Sequence, residues 1–322
     1  MRKIGVLCSG GDAPGMNAAI RAVVRRAASL ELETTGIRNG YAGLLRGELV
    51  PLGPRDVGNI VQFGGTILGT ARSREFYRPE GRARAAQVLR EAGIEGLVVI
   101  GGDGSYRGAQ LLAAEHGIHV VGIPGTIDND IPGTDATIGF DTAVNTALDA
   151  IDRLRDTAEA LGRLFFVEVM GRSTGFLAAH VALAGGADQV LVPEVPTDIE
   201  ALCRRIRDEV GKKKRSAIVV VAEGDDAGGA VDIARRIKDD LSIDSRVCVL
   251  GHIQRGGKPT ARDRILAARL GARAVEALAA GRSGVAVGER KGVVVEVPFD
   301  EVFREQKPLE LEFVDLAEKL SG

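Results

Sequence analysis

The chain of 322 residues predicts an α/β fold built on a doubly wound parallel sheet, and three observations predict it. Short, mainly apolar runs recur at residues 4–7, 97–100, 120–123, 165–170, 190–192, 218–222 and 247–250. Most lack the alternation of a strand with one wet face, as parallel strands buried on both faces do. Glycine-rich turns follow most of these runs, and helical periodicity follows most of the turns. The turns also carry acids and arginines, among them Asp12, Asp103, Asp128, Asp130, Arg172 and Arg255. Strand–turn–helix order places such loops along the C-terminal edge of the sheet, where ligands of these folds bind.

The stretch LVVIGGDGSYRG, residues 97–108, organises the reading. Glycines at 101, 102 and 104 let the backbone approach a phosphate closely, and the helix start that follows favours an anion. Asp103 would repel that phosphate unless a divalent cation stood between them. The stretch therefore predicts a Mg²⁺–polyphosphate site, with a plain tight turn and a solvent-facing Asp as the simpler alternative. Residues 9–15, SGGDAPG, repeat the pattern and lead into a helix over 16–28. Neither loop contains GxxxxGK[ST], and neither matches GxGxxG with a following acid.

Residues 29–75 are glycine-rich and give no clear element pattern, and 36–43 and 64–72 read as loops lining a site. A basic, alanine-rich helix over 81–92 precedes the strand at 97, and a helix over 105–115 leads to the run 120–123, which ends in PGTIDND (124–130). A long amphipathic helix over 141–160 opens the second half. The strand 165–170 ends in GRSTG, and a helical segment with His180 follows. A charged helix over 198–210 and a basic run at 212–215 come before the strand 218–222, and EGDDAGG (223–229) is expected to be a flexible loop. Then come a helix over 230–241, a strand 247–250 ending in GHIQRGG (251–257), a helix over 265–280 and a last strand at 293–297. The second half repeats the architecture of the first without a strict sequence repeat.

Composition excludes several classes. Hydrophobic residues make up 45% and charged residues 27%, the balance of a soluble globular enzyme. A net charge of −2 offers no overall attraction for nucleic acid or a membrane surface. The three cysteines have no metal spacing, which fits a reducing cytoplasm, and Cys8 and Cys248 are expected to pack in the core. No apolar stretch reaches the ~18–20 residues of a membrane span. The first apolar run stops at Cys8, too short for a secretory signal.

Strand-end acids with arginines nearby suit metal-assisted phosphoryl transfer. That chemistry needs a cation for the donor phosphates, an acid to take the acceptor's proton, and positive charge for the transition state. Arg72, Arg172 and Arg255 can supply the charge in place of a P-loop lysine.

Five motifs together carry a closer likeness: GGDAPGMNAAIR (10–21), GGDGSYRGA (101–109), PGTIDND (124–130), VEVMGR (167–172) and GHIQRGG (251–257). In this order, across essentially the whole chain, they resemble bacterial-type ATP-dependent 6-phosphofructokinases. The resemblance implies two Rossmann-like three-layer α/β/α domains with mostly parallel sheets. It places the larger, ATP-binding domain at 1–139 plus 252–302, and the smaller, fructose-6-phosphate-binding domain at 140–251 plus 303–322. It also implies Mg²⁺ as cofactor and a homotetramer.

Residue by residue, the likeness implies that Gly11, Tyr41, Arg72, Ser73, Gly102, Asp103, Gly104, Ser105 and Gly108 hold ATP, with Asp103 on the metal. Asp128 matches the base for the sugar 1-hydroxyl. Thr126 and Asp130 match its orienting neighbours, while Arg72, Arg172 and Gly11 match positions beside the transferring phosphoryl. Met170, Gly171, Arg172, Glu223, His252 and Arg255 match the sugar-phosphate pocket, and Arg163 and Arg246 match arginines that reach it from a neighbouring subunit. Arg21, Arg25, Arg155, Asp188, Lys212 and Lys214 match an effector site for ADP as activator or phosphoenolpyruvate as inhibitor. Asp188 stands where a metal-binding Glu is common, Pro54-Arg55 shifts the usual arginine by one residue, and Asn59 replaces an acid.

Glycine at 104 and 125, where pyrophosphate-using relatives carry Asp and Lys, favours ATP as donor. A pyrophosphate-dependent enzyme is the first alternative and a non-catalytic effector-sensing subunit the second. A different sugar phosphate, such as tagatose 6-phosphate, also fits a pocket that grips mainly the phosphate.

Overall fold

In the computed structural model, which describes residues 1–161, 163–211 and 216–321, the elements in chain order begin with β1 (Lys3–Ser9), α1 (Met16–Ser29), β2 (Glu33–Ile37), α2 (Gly40–Arg46) and β3 (Leu49–Leu52). A 3₁₀ turn, Glu75–Tyr77, precedes α3 (Pro79–Glu91), β4 (Gly96–Gly101), α4 (Asp103–His116), β5 (His119–Pro124) and α5 (Phe140–Leu161). Next come β6 (Leu164–Val169), α6 (Phe176–Gly185), β7 (Gln189–Leu191), α7 (Ile199–Gly211), β8 (Ala217–Ala222), α8 (Ala230–Leu241) and β9 (Ser245–Val249). After a second 3₁₀ turn, Gly251–Arg255, the chain ends with α9 (Ala261–Ala279), β10 (Val285–Arg290), β11 (Val293–Pro298), α10 (Phe299–Arg304) and α11 (Leu311–Leu320). These elements form two compact units. One comprises Met1–Ile127, Ile131–Thr142 and Arg255–Lys307; the other comprises Asp128–Asp130, Ala143–Gln254 and Pro308–Gly322.

The first unit carries a seven-stranded sheet in the order β11-β10-β5-β4-β1-β2-β3. Its pairs are parallel except at the two edges, where β3 and β11 run antiparallel to their neighbours. β4 is buried along its whole length, which is why it reads as an unbroken apolar run. On one face, Leu7, Leu97, Val99 and Val120 join a core with Leu44, Leu89, Leu112 and Phe299 from α2, α3, α4 and α10. The alternate residues face the other way; a Cβ on Gly96 would stand 3.2 Å from Leu278 of α9. α9 lies tightly against α1, because a Cβ on Gly271 would stand 2.6 Å from the Ala22 side chain and 2.9 Å from the Ala19 carbonyl. Any larger residue there would force the helices apart.

The second unit carries a four-stranded, all-parallel sheet in the order β7-β8-β6-β9. Phe166, Val219 and Val221 pack with Leu202, Ile206, Ile233 and Ile237 from α7 and α8. Outside that cluster, α6 packs against α11 with His180 stacked on Phe313 at 4.6 Å.

Several local expectations are corrected. The stretch 36–43 is not a loop but the end of β2 and the start of α2, and β3 follows it. β2 escapes a hydrophobicity reading because its buried residues are Thr34, Thr35, Gly36 and Ile37. Gly36 is required there, since a Cβ would meet Leu52 and Leu68 at 2.7 Å. β10 was not anticipated either, its run being interrupted by Gly288, against which the Gly133 carbonyl packs. α4 starts at Asp103, two residues early, so the acid is the helix's first residue and favours its dipole. Cys248 is only half-buried, on the edge strand β9. The EGDDAGG loop is tied down: the buried Asp225 carboxylate accepts from the Thr197 hydroxyl and the Ala227 N–H, both at 2.9 Å.

Candidate functional site

In the first unit the candidate site grows from the ends of three adjacent strands. The chain runs from β1 outward to β2 and β3, then crosses to the other side of β1 for β4 and β5, so the order reverses between β1 and β4. Such a reversal opens a crevice at the strand C-termini. Register makes the ends level, with Ser9 opposite Gly101 and Gly101 opposite Pro124. The loops 9–15, 101–105 and 124–126 therefore leave the sheet side by side.

Missing side chains shape these loops. A Cβ on Gly101 would lie 2.4 Å from the Ser9 carbonyl oxygen and 2.6 Å from Ser105 Oγ, and Ser105 Oγ donates to that same carbonyl at 3.0 Å. Gly10 and Gly15 adopt φ of 93° and 111°, a region only glycine enters freely. α1 and α4 both begin on glycines with no side-chain cap, so their first amides have no side-chain acceptor, a setting that favours anions. Arg255 lies across the first loop: it donates to the Asp12 carbonyl at 3.1 Å, and a Cβ on Gly11 would sit 2.3 Å from its guanidinium. Arg72 is exposed and follows Thr70, whose hydroxyl donates to the Gly10 carbonyl at 2.9 Å.

Tyr41 and Gly108, both expected at the nucleotide site, also have a structural role. Tyr41 is buried, stacks on Phe76 at 3.9 Å and donates its hydroxyl to the Ser105 carbonyl at 2.7 Å. It holds the first turn of α4 in place, and burial pushes its phenol pKa up. Gly108 makes room for this pair, its missing Cβ lying 3.0 Å from Phe76. Gly125 also has a packing reason for its type: a Cβ there would meet Ile100 at 2.9 Å and Met16 at 3.2 Å. At Gly104, by contrast, nothing stands within 4 Å of the missing Cβ, so the argument about the donor rests on that position. Among the described residues no group of three or more His, Cys, Asp or Glu could hold a metal ion. Asp103, half-exposed and paired with Arg107 at 2.9 Å, instead fits a Mg²⁺ that arrives on phosphate oxygens and needs one or two carboxylates.

The second unit uses the same device with different materials. β6 is central, with β8 on one side and β9 on the other, and the C-terminal ends of all three lie together: Val169 faces Ala222, and Glu168 faces Val249. Arg172, Glu223 and His252 leave these ends, all exposed. Arg172 adopts φ 60°, uncommon for a residue with a side chain. Its N–H donates to Glu223 Oε1 at 2.7 Å. Gly224 lies against its carbonyl so closely that a Cβ would stand 2.1 Å away. Sequence reasoning named Glu223 but passed over Gly224, because the contact depends on a loop some fifty residues away. Asp128 and Asn129 are buried, and Asn129 takes a left-handed φ of 55° that its side chain tolerates.

Arg163 and Arg246 lie at the opposite end of this sheet, Arg246 pairing with Phe165 and forming an ion pair with Asp244 at 2.8 Å. At the usual rise per residue Arg163 is roughly 20 Å, and Arg246 roughly 13 Å, from the C-terminal end of β6. Among the expected effector residues, Arg21 is half-buried and Arg25 exposed on α1. Arg155 donates to the Gly185 and Gly186 carbonyls at 2.5 and 2.8 Å, a basic cap on the C-terminus of α6. Asp188 is buried, and its carboxylate accepts from the Ile218 N–H at 2.6 Å. Lys212 and Lys214 lie outside the described residues.

The family model described as Phosphofructokinase matches residues 3–278. A protein of Thermus thermophilus named ATP-dependent 6-phosphofructokinase 1 is 60% identical over 321 residues, covering 100% of each chain. One of Bacteroides thetaiotaomicron, ATP-dependent 6-phosphofructokinase 2, is 50% identical over 99% of this chain and 98% of its own. The structure of phosphofructokinase from Saccharomyces cerevisiae superposes with a TM-score of 0.89 at 37% identity, over 94% of this chain and 45% of the longer yeast chain. A pyrophosphate-dependent phosphofructokinase of Marinobacter aquaeolei superposes at 0.86 with 25% identity, over 97% of this chain and 86% of its own.

Proposed function

The chain belongs to the phosphofructokinase family, and on that premise we propose that it is an ATP-dependent 6-phosphofructokinase, moving the γ-phosphoryl of ATP to the 1-hydroxyl of fructose 6-phosphate. The full-length 60% identity to a relative of that name supports the reading most. The open space at Gly104 supports ATP over pyrophosphate, because a carboxylate there would crowd the α-phosphate and nucleoside. In this reading the first unit is the donor half and the second the acceptor half, and the reaction is the committed step of glycolysis in the cytoplasm. No described helix is long and apolar enough to cross a membrane.

The residues divide the chemistry. Backbone amides of the loops at Gly11 and Gly102–Ser105 receive the donor phosphates. Asp103 would hold Mg²⁺ with the β- and γ-phosphates, and the ion when bound neutralises their charge. Asp128 takes the proton of the 1-hydroxyl while the bond from the γ-phosphorus to the sugar oxygen forms and the bond to ADP breaks. Thr126 and Asp130 orient these groups. Arg72 and Arg172 stabilise the equatorial oxygens. Met170, Gly171, Glu223, His252 and Arg255 bind the sugar phosphate. The distance of Arg163 and Arg246 from that pocket within one chain supports their serving a neighbouring subunit's site, in a tetramer. By the same likeness, Arg21, Arg25, Arg155, Asp188, Lys212 and Lys214 would serve an effector site for ADP or phosphoenolpyruvate at a subunit interface.

Steady-state kinetics of fructose 6-phosphate phosphorylation test the reading, with ATP and with pyrophosphate, and with ADP or phosphoenolpyruvate added. Turnover with ATP is expected, and turnover with pyrophosphate alone would sink it. In the same assay Asp128→Ser is expected to lower kcat by two to four orders of magnitude with little change in either KM; a near-normal kcat removes Asp128 as the base.

A further inference from the structure

One residue of GHIQRGG has no role in the reading above. Gln254 is fully buried. Its Oε1 accepts from the Met170 N–H at 2.8 Å, while among the described residues its Nε2 is buried with no hydrogen-bond partner. Leaving a buried donor unpaired is costly. A methionine would fill similar space without that cost, so the amide is informative: its carbonyl end does something that an apolar side chain cannot.

The ladder shows what that is. β6 and β9 run parallel, and the last backbone rung between them is the Leu250 N–H donating to the Glu168 carbonyl at 3.0 Å. In a parallel ladder the next donor on that side of β6 is the Met170 N–H. β9 has ended by then, and Gly251, at φ +51°, turns the chain into the 3₁₀ turn. Gln254 reaches back from that turn and supplies the acceptor. From the β8 side, Glu223 grips the Arg172 N–H. Between the two anchors lie Gly171 at φ +138° and Arg172 at φ +60°, and a left-handed arginine persists only where its surroundings over-determine it.

We propose that Gln254 is a positioning residue: its side-chain carbonyl extends the β6–β9 ladder by one rung and fixes the Met170–Arg172 backbone on which the sugar-phosphate pocket is built. The inference rests on reading that segment as substrate-binding. Its test is steady-state kinetics of full-length Gln254→Met, together with amide hydrogen exchange at Met170 in the unaltered enzyme. The variant is expected to raise KM for fructose 6-phosphate tenfold or more, to leave KM for ATP within twofold, and to melt at about the same temperature, because the unpaired Nε2 donor goes as the Met170 N–H loses its acceptor. A fructose 6-phosphate KM within twofold of the unaltered enzyme, or both KM values rising together, overturns the proposal. Where the variant fails to fold, hydrogen exchange decides: the Met170 amide is expected to be as protected as the amides inside β6, and loop-like exchange overturns the anchor. An unaltered enzyme inactive on fructose 6-phosphate would defeat the functional reading, while exchange at Met170 would still judge the anchor.

Discussion

The two sheets solve one problem with opposite materials. Both place their candidate residues where strand order reverses, at the level C-terminal ends of three neighbouring strands. In the seven-stranded unit the ends are lined by what is absent: Gly10, Gly11, Gly101 and Gly102 leave backbone amides and room. In the four-stranded unit the ends are lined by side chains, and Glu223 and Gln254 hold a strained turn from either side. A polyphosphate is well received by many amides and few bulky groups, whereas a sugar phosphate needs shaped, directional contacts. Each unit should therefore fail in its own way when a single methyl group is added.

The largest expected effect is in the backbone-built half. Gly101→Ala drives a methyl into the Ser9 carbonyl and Ser105 Oγ, and neither can give without moving a strand end. We expect kcat/KM for ATP to fall at least a hundredfold and the fold to lose about 1–3 kcal/mol by overpacking, read by kinetics and urea titration. A kcat/KM for ATP that stays put would mean that the loop tolerates filling and that the contrast is false. Next comes Gly224→Ala in the other half, where the methyl meets the Arg172 carbonyl. KM for fructose 6-phosphate should rise roughly tenfold or more, on the order of 1.4 kcal/mol, while that for ATP moves less than twofold. Equal effects on both substrates would erase the division of labour.

The smallest effect sharpens the comparison from inside the donor half. There one side-chain clamp matters: buried Arg82 binds Glu115 through two contacts of 2.6 Å and also donates to the Phe76 and Tyr77 carbonyls, fastening the 3₁₀ turn to α4. The Arg82 hydrogen bonds hold the Glu115 carboxyl below its usual range. A lowered carboxylate pKa contributes stability above the unfolded value, about 4.3, and loses it as the pH falls through the lowered folded value. Glu115→Gln should cost about 1 kcal/mol at pH 7, with the gap to the unaltered protein narrowing below about pH 4. Urea titrations at the two pH values read this, and a gap that does not change with pH would show that the carboxylate's charge contributes nothing.

The central strands and their turns were legible because both signals are local. An unbroken apolar run reports burial on two faces, and Gly-Gly-Asp after it reports a backbone that must turn and approach something. Two strands just inside the edges were not legible. β2 is buried through threonines and a glycine, and β10 carries Gly288 in its middle, so neither has the apolar density that marks a strand. The four strands of the second unit were legible as apolar runs, but their order β7-β8-β6-β9 was not, because such runs look alike whichever neighbours they pair with.

By itself the sequence determined the α/β class, the order of the glycine loops and their acids, and, through five motifs, the family. These are properties of residues close together along the chain, where spacing alone sets the geometry. Only the tertiary structure decided that Tyr41 serves the Ser105 carbonyl, that Gly125 makes room for Ile100 and Met16, that Arg155 caps α6, and that Gln254 completes a ladder for Met170. Each of those roles depends on a partner that strand order and register bring close in space from elsewhere in the chain, and no local pattern encodes which carbonyl or amide will be waiting there.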